Sequence, residues 1–293
     1  MRAVGVNTWV WVSPLTDDNV ATLLRTVADL GFDAVEIPLE NVGDLSAETV
    51  GAALADTGLT PYVVGAMAPG RDLVSTDPAS VARTRDYLRG CIDLASSVGA
   101  RSVCGPFYAA TGRVWRMDPA ERTAAYAGMR EGLAPVVDHA GERGVTLGIE
   151  PLNRYETSLV NTVDQALEAY DAMLGPALGL ALDTYHLNLE ERSTADAVRR
   201  AGTHLVHLQV CGSDRGAPGG DQTDWPALLA ALDDVGYDGP LNIESFTAEN
   251  ASIATAASIW RPLAASQDAL ARDGLAFLRS LTAAPAARER EAS

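Results

Sequence analysis

The chain has no lysine, and its 22 basic residues are all arginine. Schiff-base catalysis needs a lysine amine, and the phosphate-binding P-loop also uses a lysine, so the sequence excludes both kinds of site. Histidine is scarce as well, with four residues in a chain of 293. So few imidazoles argue against a site that holds several zinc ions.

Cysteines and long apolar runs are also in short supply. Cys91, Cys104 and Cys211 are odd in number and lack the spacing of a metal site, so we expect them to be reduced and buried. No apolar run approaches the roughly 20 residues that cross a membrane. The amino terminus lacks a small-residue cleavage site and is better interpreted as a first strand. We therefore expect a cytoplasmic protein with no membrane partner.

Basic residues are far fewer than acidic ones, 22 against 39, so the formal net charge is −17. An excess of negative charge repels phosphate backbones and anionic membranes, so we expect no nucleic-acid partner. Apolar residues make up 47% and charged residues 21% of the chain. These fractions are typical of a globular protein with a large core.

Short apolar runs alternate with longer amphipathic stretches eight times along the chain. Strict alternation predicts a parallel sheet, and eight units predict a single (β/α)8 TIM barrel, an α/β fold. We expect the barrel to occupy residues 1–282 and residues 283–293 to form a disordered carboxyl-terminal tail. The strand candidates lie near residues 3–11, 34–39, 61–67, 101–107, 146–152, 178–184, 204–210 and 240–246.

Capping residues and glycines predict where the helices begin and end. Four helices are expected to start at caps and to stop at glycines, and three more are expected near residues 162–174, 194–202 and 225–236. The eighth region, from about residue 248 onward, is the longest. The four starts are Thr16-Asp17-Asp18, Ser46, Asp77 and Asp118, and the matching stops are Gly31, Gly58, Gly99 and Gly144.

Four successive strand candidates each carry a polar side chain near their carboxyl end, and these are Glu150, Asp183, Gln209 and Glu244. The active site of a barrel lies at that end of its strands, so the four are expected to share one site. A buried carboxylate needs a partner or a metal ion. One alternative is an ion pair between Glu150 and Arg154. Another is that His207, two residues before Gln209 and therefore on the same strand face, approaches the site instead.

Four motifs identify a resemblance that covers nearly the whole chain. They are Ile-Glu-Pro-Leu-Asn-Arg-Tyr-Glu-Thr at 149–157, Leu-Asp-Thr-Tyr-His-Leu-Asn-Leu-Glu-Glu at 182–191, Asp-Arg-Gly-Ala-Pro-Gly at 214–219 and Ile-Glu-Ser-Phe at 243–246. Segments 31–39 and 104–108 support them. The sequence resembles the ketose 3-epimerases of the xylose-isomerase-like superfamily.

The resemblance implies that Glu150, Asp183, Gln209 and Glu244 hold a divalent metal. Gln209 departs from the family pattern, since the epimerases carry histidine there, whereas the hydroxypyruvate isomerase branch carries glutamine. Four oxygen donors would suit Mn²⁺ or Mg²⁺, with Co²⁺ as an alternative. A weakened metal site in a sugar-binding barrel without activity is the non-enzymatic alternative.

The resemblance also implies that Glu156, His186 and Arg215 grip the sugar around its ketone. Each has a structural alternative, because His186 suits a helix cap and Arg215 suits an ion pair with Asp214 or Asp221. Four aromatic residues near strand ends are candidates for lining the sugar pocket or for the core, and these are Trp9, Trp11, Phe107 and Tyr108.

The implied reaction is C3 epimerisation of a free ketose through an enediolate, with Glu150 and Glu244 as the two proton-transfer groups. A 1,2-isomerase of the hydroxypyruvate isomerase type and a deglycosidase acting on 3-keto C-glycosides are the alternatives. The expected partners are a small sugar and further copies of the chain in a homo-oligomer. The deglycosidase would instead need a small partner subunit.

Overall fold

The structure, a computed structural model, describes residues 2–282, so the predicted tail at 283–293 lies outside the described residues. Its strands in chain order are β1 Val4–Asn7, β2 Ala34–Leu39, β3 Thr60–Gly65, β4 Ser102–Gly105, β5 Thr146–Ile149, β6 Leu178–Asp183, β7 Leu205–Val210 and β8 Leu241–Ile243. Its helices are α1 Val20–Leu30, α2 Ala47–Thr57, α3 Pro78–Val98, α4 Pro119–Arg143, α5 Val163–Tyr170, α6 Thr184–Glu190, α7 Thr194–Ala201, α8 Trp225–Asp234, α9 Ala251–Ala256 and α10 Gln267–Thr282.

The strands form one closed parallel barrel in sequence order, from β1 to β8. Closure comes from the pairing of β1 with β8, in which Val6 is opposite Ile243. The prediction of a single (β/α)8 barrel is confirmed. The domain boundary at residue 282 stays a prediction.

The capping signals place most of the helix ends correctly. Asp77 and Asp118 each accept backbone N–H groups of the first turn, and a proline follows each at the first helical position. The helix α3 ends before Gly99, whose φ of +78° is left-handed and therefore favours glycine. The predicted bounds of α2, α3 and α4 are confirmed.

The structure differs from the helix predictions at three other places. The first helix begins at Val20 and not after Thr16, because the side chain of Asn19 accepts the backbone N–H of Thr16 at 2.9 Å and holds residues 16–19 in a turn. The helix α6 follows β6 directly, where no helix was expected. The eighth region, from about residue 248 onward, contains two helices, α9 and α10.

The interior of the barrel and the layer between strands and helices form the core. All residues of β2 and β6 are buried, as expected for parallel strands covered by helices. Buried polar residues are concentrated in and just beyond the strands. The mouth of the barrel is therefore the candidate active site. Within residues 2–282, no helix combines the length and the apolar character needed to cross a membrane.

Candidate active site

Three buried carboxylates meet at the carboxyl ends of the strands. Glu150 and Glu244 are the first residues after β5 and β8, and Asp183 is the last residue of β6. Asp183 also begins α6, since its Oδ1 accepts the backbone N–H of Tyr185 at 2.9 Å. The barrel therefore brings together three acids that are up to 94 residues apart in sequence.

Arg215 lies between two of these acids. Its Nη1 donates to Oδ2 of Asp183 and lies 3.1 Å from Oε2 of Glu244. The alternatives of pairing with Asp214 or Asp221 are wrong. Arg215 has a left-handed φ of +70°, and its carbonyl oxygen accepts the hydroxyl of Ser245 at 2.6 Å. The loop after β7 thus directs a buried guanidinium into the site.

Glu150 is paired with His186 and not with Arg154. Its Oε1 lies 3.4 Å from Nε2 of His186. Arg154 instead forms two hydrogen bonds to Glu190, at 2.9 and 3.0 Å. The alternative of a Glu150–Arg154 ion pair is therefore wrong, and Glu150 remains in the shared site.

The hydrogen bonds of His186 define its tautomer. Its Nδ1 lies 3.0 Å from both the backbone N and the side-chain Nδ2 of Asn153, which are donors. The approach of Nη2 of Arg215 to Nε2 is longer, at 3.4 Å. Burial lowers the pKa of His186 and favours the neutral ring, although Asp183 opposes this. The single proton is therefore on Nε2, which faces the acids.

Burial raises the pKa of both glutamates well above the ordinary value. For Glu150, the charges of Glu244 and Asp183 add to the effect of burial. For Glu244, burial is opposed by the positive charge of Arg215 and reinforced by Asp183. Two acids held in this way retain protons more readily than exposed glutamates, which suits proton exchange.

The donor set fits a hard divalent cation. Glu150, Asp183 and His186 each offer an atom, and these atoms all lie within 4.8 Å of one another. His186 is the weakest of the three as a ligand, because its facing nitrogen carries the proton. The carboxylate oxygens remain, and they are the ligands that Mg²⁺ and Mn²⁺ prefer.

Gln209 faces two carboxylates with its amide nitrogen. Nε2 donates to Oε1 of Glu244 at 2.8 Å and to Oε2 of Glu36 at 2.9 Å. Its Oε1 is buried and has no hydrogen-bond partner within residues 2–282. The carbonyl oxygen is therefore the atom of Gln209 that could meet a cation.

His207 lies on the same strand but is paired elsewhere. Its Nε2 is 2.5 Å from Oε1 of Glu36, and both residues are 0% exposed. Burial alone lowers the pKa of His207, but Cys104 and the Glu36 carboxylate outweigh it and raise that pKa well above its usual value. His207 is thus the partner of Glu36, a residue that the motif analysis did not single out.

The four aromatic candidates occupy different places. Trp9 is close to the mouth, where its ring lies 5.7 Å from that of Phe246. Phe246 in turn lies under the guanidinium of Arg215, at 5.0 Å. Trp11 instead donates to Asp268 on the outer helix α10.

Phe107 and Tyr108 are fully buried in the core. The hydroxyl of Tyr108 donates to the carbonyl oxygen of Glu150 at 2.9 Å. Tyr108 therefore supports the backbone of a site residue, which favours the core role over the pocket role of its two expected roles.

Glu156 and Asn153 border the same region. The side chain of Asn153 donates to Oε1 of Glu156 at 2.7 Å, and its backbone binds His186. A cavity of about 250 Å³ is lined by Arg215, Tyr185 and Trp260, among others, and by none of the three acids. Arg215 therefore connects the cavity to the buried carboxylates.

Comparison with known proteins identifies the family of this chain. The family model described as "Xylose isomerase-like TIM barrel" matches residues 24–281. A ketose 3-epimerase of Arthrobacter globiformis is 31% identical over 278 residues, which cover 94% of this chain and 95% of the relative. An L-ribulose 3-epimerase of Methylomonas sp. is 30% identical, with 94% and 96% covered.

A solved structure is similar over nearly its whole length. It is a D-allulose 3-epimerase from Methylomonas sp. in complex with D-allulose, with a TM-score of 0.86, 29% identity, and coverage of 95% of this chain and 97% of that one. The chain therefore belongs to the ketose 3-epimerases of the xylose isomerase-like TIM barrel family.

Proposed function

We propose that this chain is a divalent-metal-dependent epimerase that inverts C3 of a free ketose. The observation that carries the proposal is the presence of two buried glutamates, Glu150 and Glu244, at the ends of non-adjacent strands and around a common Asp183 and Arg215. Relatives named as epimerases of ribulose and psicose support the substrate class.

Inversion at C3 needs proton removal on one face of the carbon and proton delivery on the other. One glutamate takes the C3 proton, and the electron pair of that bond forms the C2–C3 double bond of an enediolate. The other glutamate, which is protonated, returns a proton to the opposite face. The raised pKa of both groups suits a pair that exchanges roles between the forward and reverse reactions.

Glu150, Asp183, Glu244 and the carbonyl oxygen of Gln209 are the residues proposed to hold Mn²⁺ or Mg²⁺. The cation would supply positive charge that stabilises the oxygens of the enediolate. Arg215 already supplies one fixed positive charge to Asp183 and Glu244.

The neutral side chain of His186 donates from Nε2, so it can orient a sugar oxygen between Glu150 and Asp183. Glu156, fixed by Asn153, is proposed to accept a sugar hydroxyl. Trp9 and Phe246 form an apolar wall that can cover the carbon skeleton.

The test is a panel of ketoses, including D-allulose and L-ribulose, incubated in heavy water with Mn²⁺. We expect interconversion of C3 epimers with deuterium at C3. Deuterium only at C1 would instead indicate 1,2-isomerisation. Inertness towards free ketoses, with release of an aglycone from a 3-keto C-glycoside, would reject the proposal in favour of a deglycosidase.

A further inference from the structure

A second buried cluster lies beneath the acids of the mouth. Its centre is the carboxylate of Glu36, and its other members are Asn7, His207 and Gln209. Oε2 of Glu36 accepts hydrogen bonds from Nδ2 of Asn7 at 2.8 Å and from Nε2 of Gln209 at 2.9 Å. Its Oε1 is paired with Nε2 of His207 at 2.5 Å. Both carboxylate oxygens are therefore engaged, and β1, β2 and β7 are connected through one side chain.

The contacts of Gln209 restrict how its amide can be oriented. An amide nitrogen has two protons, and those of Gln209 are used by Glu36 and Glu244. Rotating the amide by half a turn would place its carbonyl oxygen against two carboxylates. That arrangement is electrostatically unfavourable in a buried site. The two acids thus leave only the carbonyl oxygen free for another partner.

We propose that Glu36 is a positioning residue that holds the amide of Gln209 so that its carbonyl oxygen is available to the divalent cation. The inference rests on the proposed function, because it assumes that Gln209 is a metal ligand. Groups behind a metal ligand commonly orient it, and their loss weakens metal binding by about 10–100-fold.

His207 and Asn7 explain why Glu36 can fulfil this role. A carboxylate with 0% exposure needs compensating donors, and these two residues supply them on different strands. The carboxylate of Glu36 is consequently held from both sides. It presents one fixed oxygen to Gln209.

The test measures Mn²⁺ binding directly, by electron paramagnetic resonance of free Mn²⁺ titrated into metal-depleted protein. The variants are Glu36→Leu, Glu36→Gln, Gln209→Leu and the double variant Glu36→Leu/Gln209→Leu. We expect Glu36→Leu to weaken binding by about 10-fold or more. Glu36→Gln should weaken it less, because its side-chain oxygen can still accept from Gln209, although a neutral acceptor is about half as strong.

The double variant separates orientation from charge. If Glu36 acts through Gln209, Glu36→Leu should cause no further loss in the Gln209→Leu background. The proposal would be overturned if the fold-losses of Mn²⁺ affinity in the two single variants multiply in the double variant. That result would indicate that Glu36 attracts the cation only by its charge or supports the fold. Unchanged affinity in a folded Glu36→Leu variant would overturn it too. Should Glu36→Leu fail to fold, Glu36→Gln is compared in the same two backgrounds with the same criterion.

Asp33→Asn is the matched control. Asp33 directly precedes β2, at the opposite end of the strand from the site, and its carboxylate binds Val4 and Arg279. This variant should keep the Mn²⁺ affinity of the wild type. A wild-type protein that binds no Mn²⁺ would reject the metal-dependent function itself, whereas wild-type binding that is insensitive to Glu36 would reject only the positioning role.

Discussion

Nη1 of Arg215 lies 3.1 Å from Oε2 of Glu244, so a residue expected to grip the sugar also holds an acid expected to move its proton. The same nitrogen donates to Asp183. The roles proposed for these residues, substrate binding by Arg215 and proton transfer by Glu244, would therefore be electrostatically connected. A cation that binds these acids must share them with the guanidinium.

Arg215→Met should make stability depend more strongly on metal. Removing one partner from a buried ion pair leaves an uncompensated charge and costs about 3–5 kcal/mol. Without metal, the variant should therefore have a lower melting temperature than the wild type. Mn²⁺ should raise the melting temperature of the variant by more than it raises that of the wild type. Arg215→Lys keeps the charge and is the control. Equal Mn²⁺-induced shifts in Arg215→Met and the wild type would contradict the arrangement.

Removing the metal should abolish activity. The acids of the site are expected to bind Mn²⁺ or Mg²⁺ only when the chain is folded, and a ligand of this kind stabilises the folded state. Chelation should therefore lower both turnover and melting temperature, and either cation should restore them. Full activity in exhaustively demetallated protein would eliminate the proposed cofactor.

Gln209→His should retain a metal site and change its preference. An imidazole favours Co²⁺ and Zn²⁺ relative to Mg²⁺. The affinity for Co²⁺ or Zn²⁺ divided by the affinity for Mg²⁺ should therefore be higher in Gln209→His than in the wild type. Gln209→Leu should weaken all of them with little loss of fold. Competition titrations on the two variants give these ratios, and an unchanged ratio in Gln209→His would remove Gln209 from the ligand set.

Glu150→Gln and Glu244→Gln should each lower turnover by at least ~10²-fold, because the amide keeps the shape and loses the base. Metal content must be measured in both variants, since each residue is also a proposed ligand. A metal-loaded single variant is expected to exchange the C3 proton of one epimer with solvent without interconverting the pair. Normal turnover in either variant would exclude the two-glutamate scheme.

The stability of the metal-free protein should depend on pH through Glu150. Burial, together with Glu244 and Asp183, raises its pKa above 4.5. The folded state then binds this proton more tightly than the unfolded state. Its stabilising contribution is present below pH 4.5 and is lost as the pH rises through the folded pKa.

Glu150→Gln has no such proton and does not lose this contribution. As the pH rises, the melting temperature of the variant minus that of the wild type should therefore increase. Thermal melts of both proteins in chelator across a pH series provide the measurement. A difference that stays constant with pH would show that Glu150 is not held in this way.

Strand periodicity predicted the acids of the mouth because they follow apolar runs directly. The same pattern did not predict Glu36 as a site residue, because Glu36 lies in the middle of β2 and the apolar run continues after it. Its partner His207 is 171 residues away and becomes apparent only when the barrel closes.

Ion pairs were the least predictable feature. The alternative partner considered for Arg154 was Glu150, four residues away, whereas α6 delivers Glu190 from 36 residues away. Proximity along the chain was a poor guide for Arg215 as well, since its partners Asp183 and Glu244 are about 30 residues away on either side. Long arginine side chains select partners by loop geometry, which the helix and strand pattern does not describe.

The left-handed backbone of Arg215 has a consequence for directed evolution. A residue with a side chain costs about 1–3 kcal/mol in such a conformation, which glycine adopts freely. Arg215→Gly would relieve this strain, but it would also remove the cation from Asp183 and Glu244, which costs about 3–5 kcal/mol. The ion pairs outweigh the strain, so selection for thermal stability of the metal-free protein is expected to keep arginine at position 215.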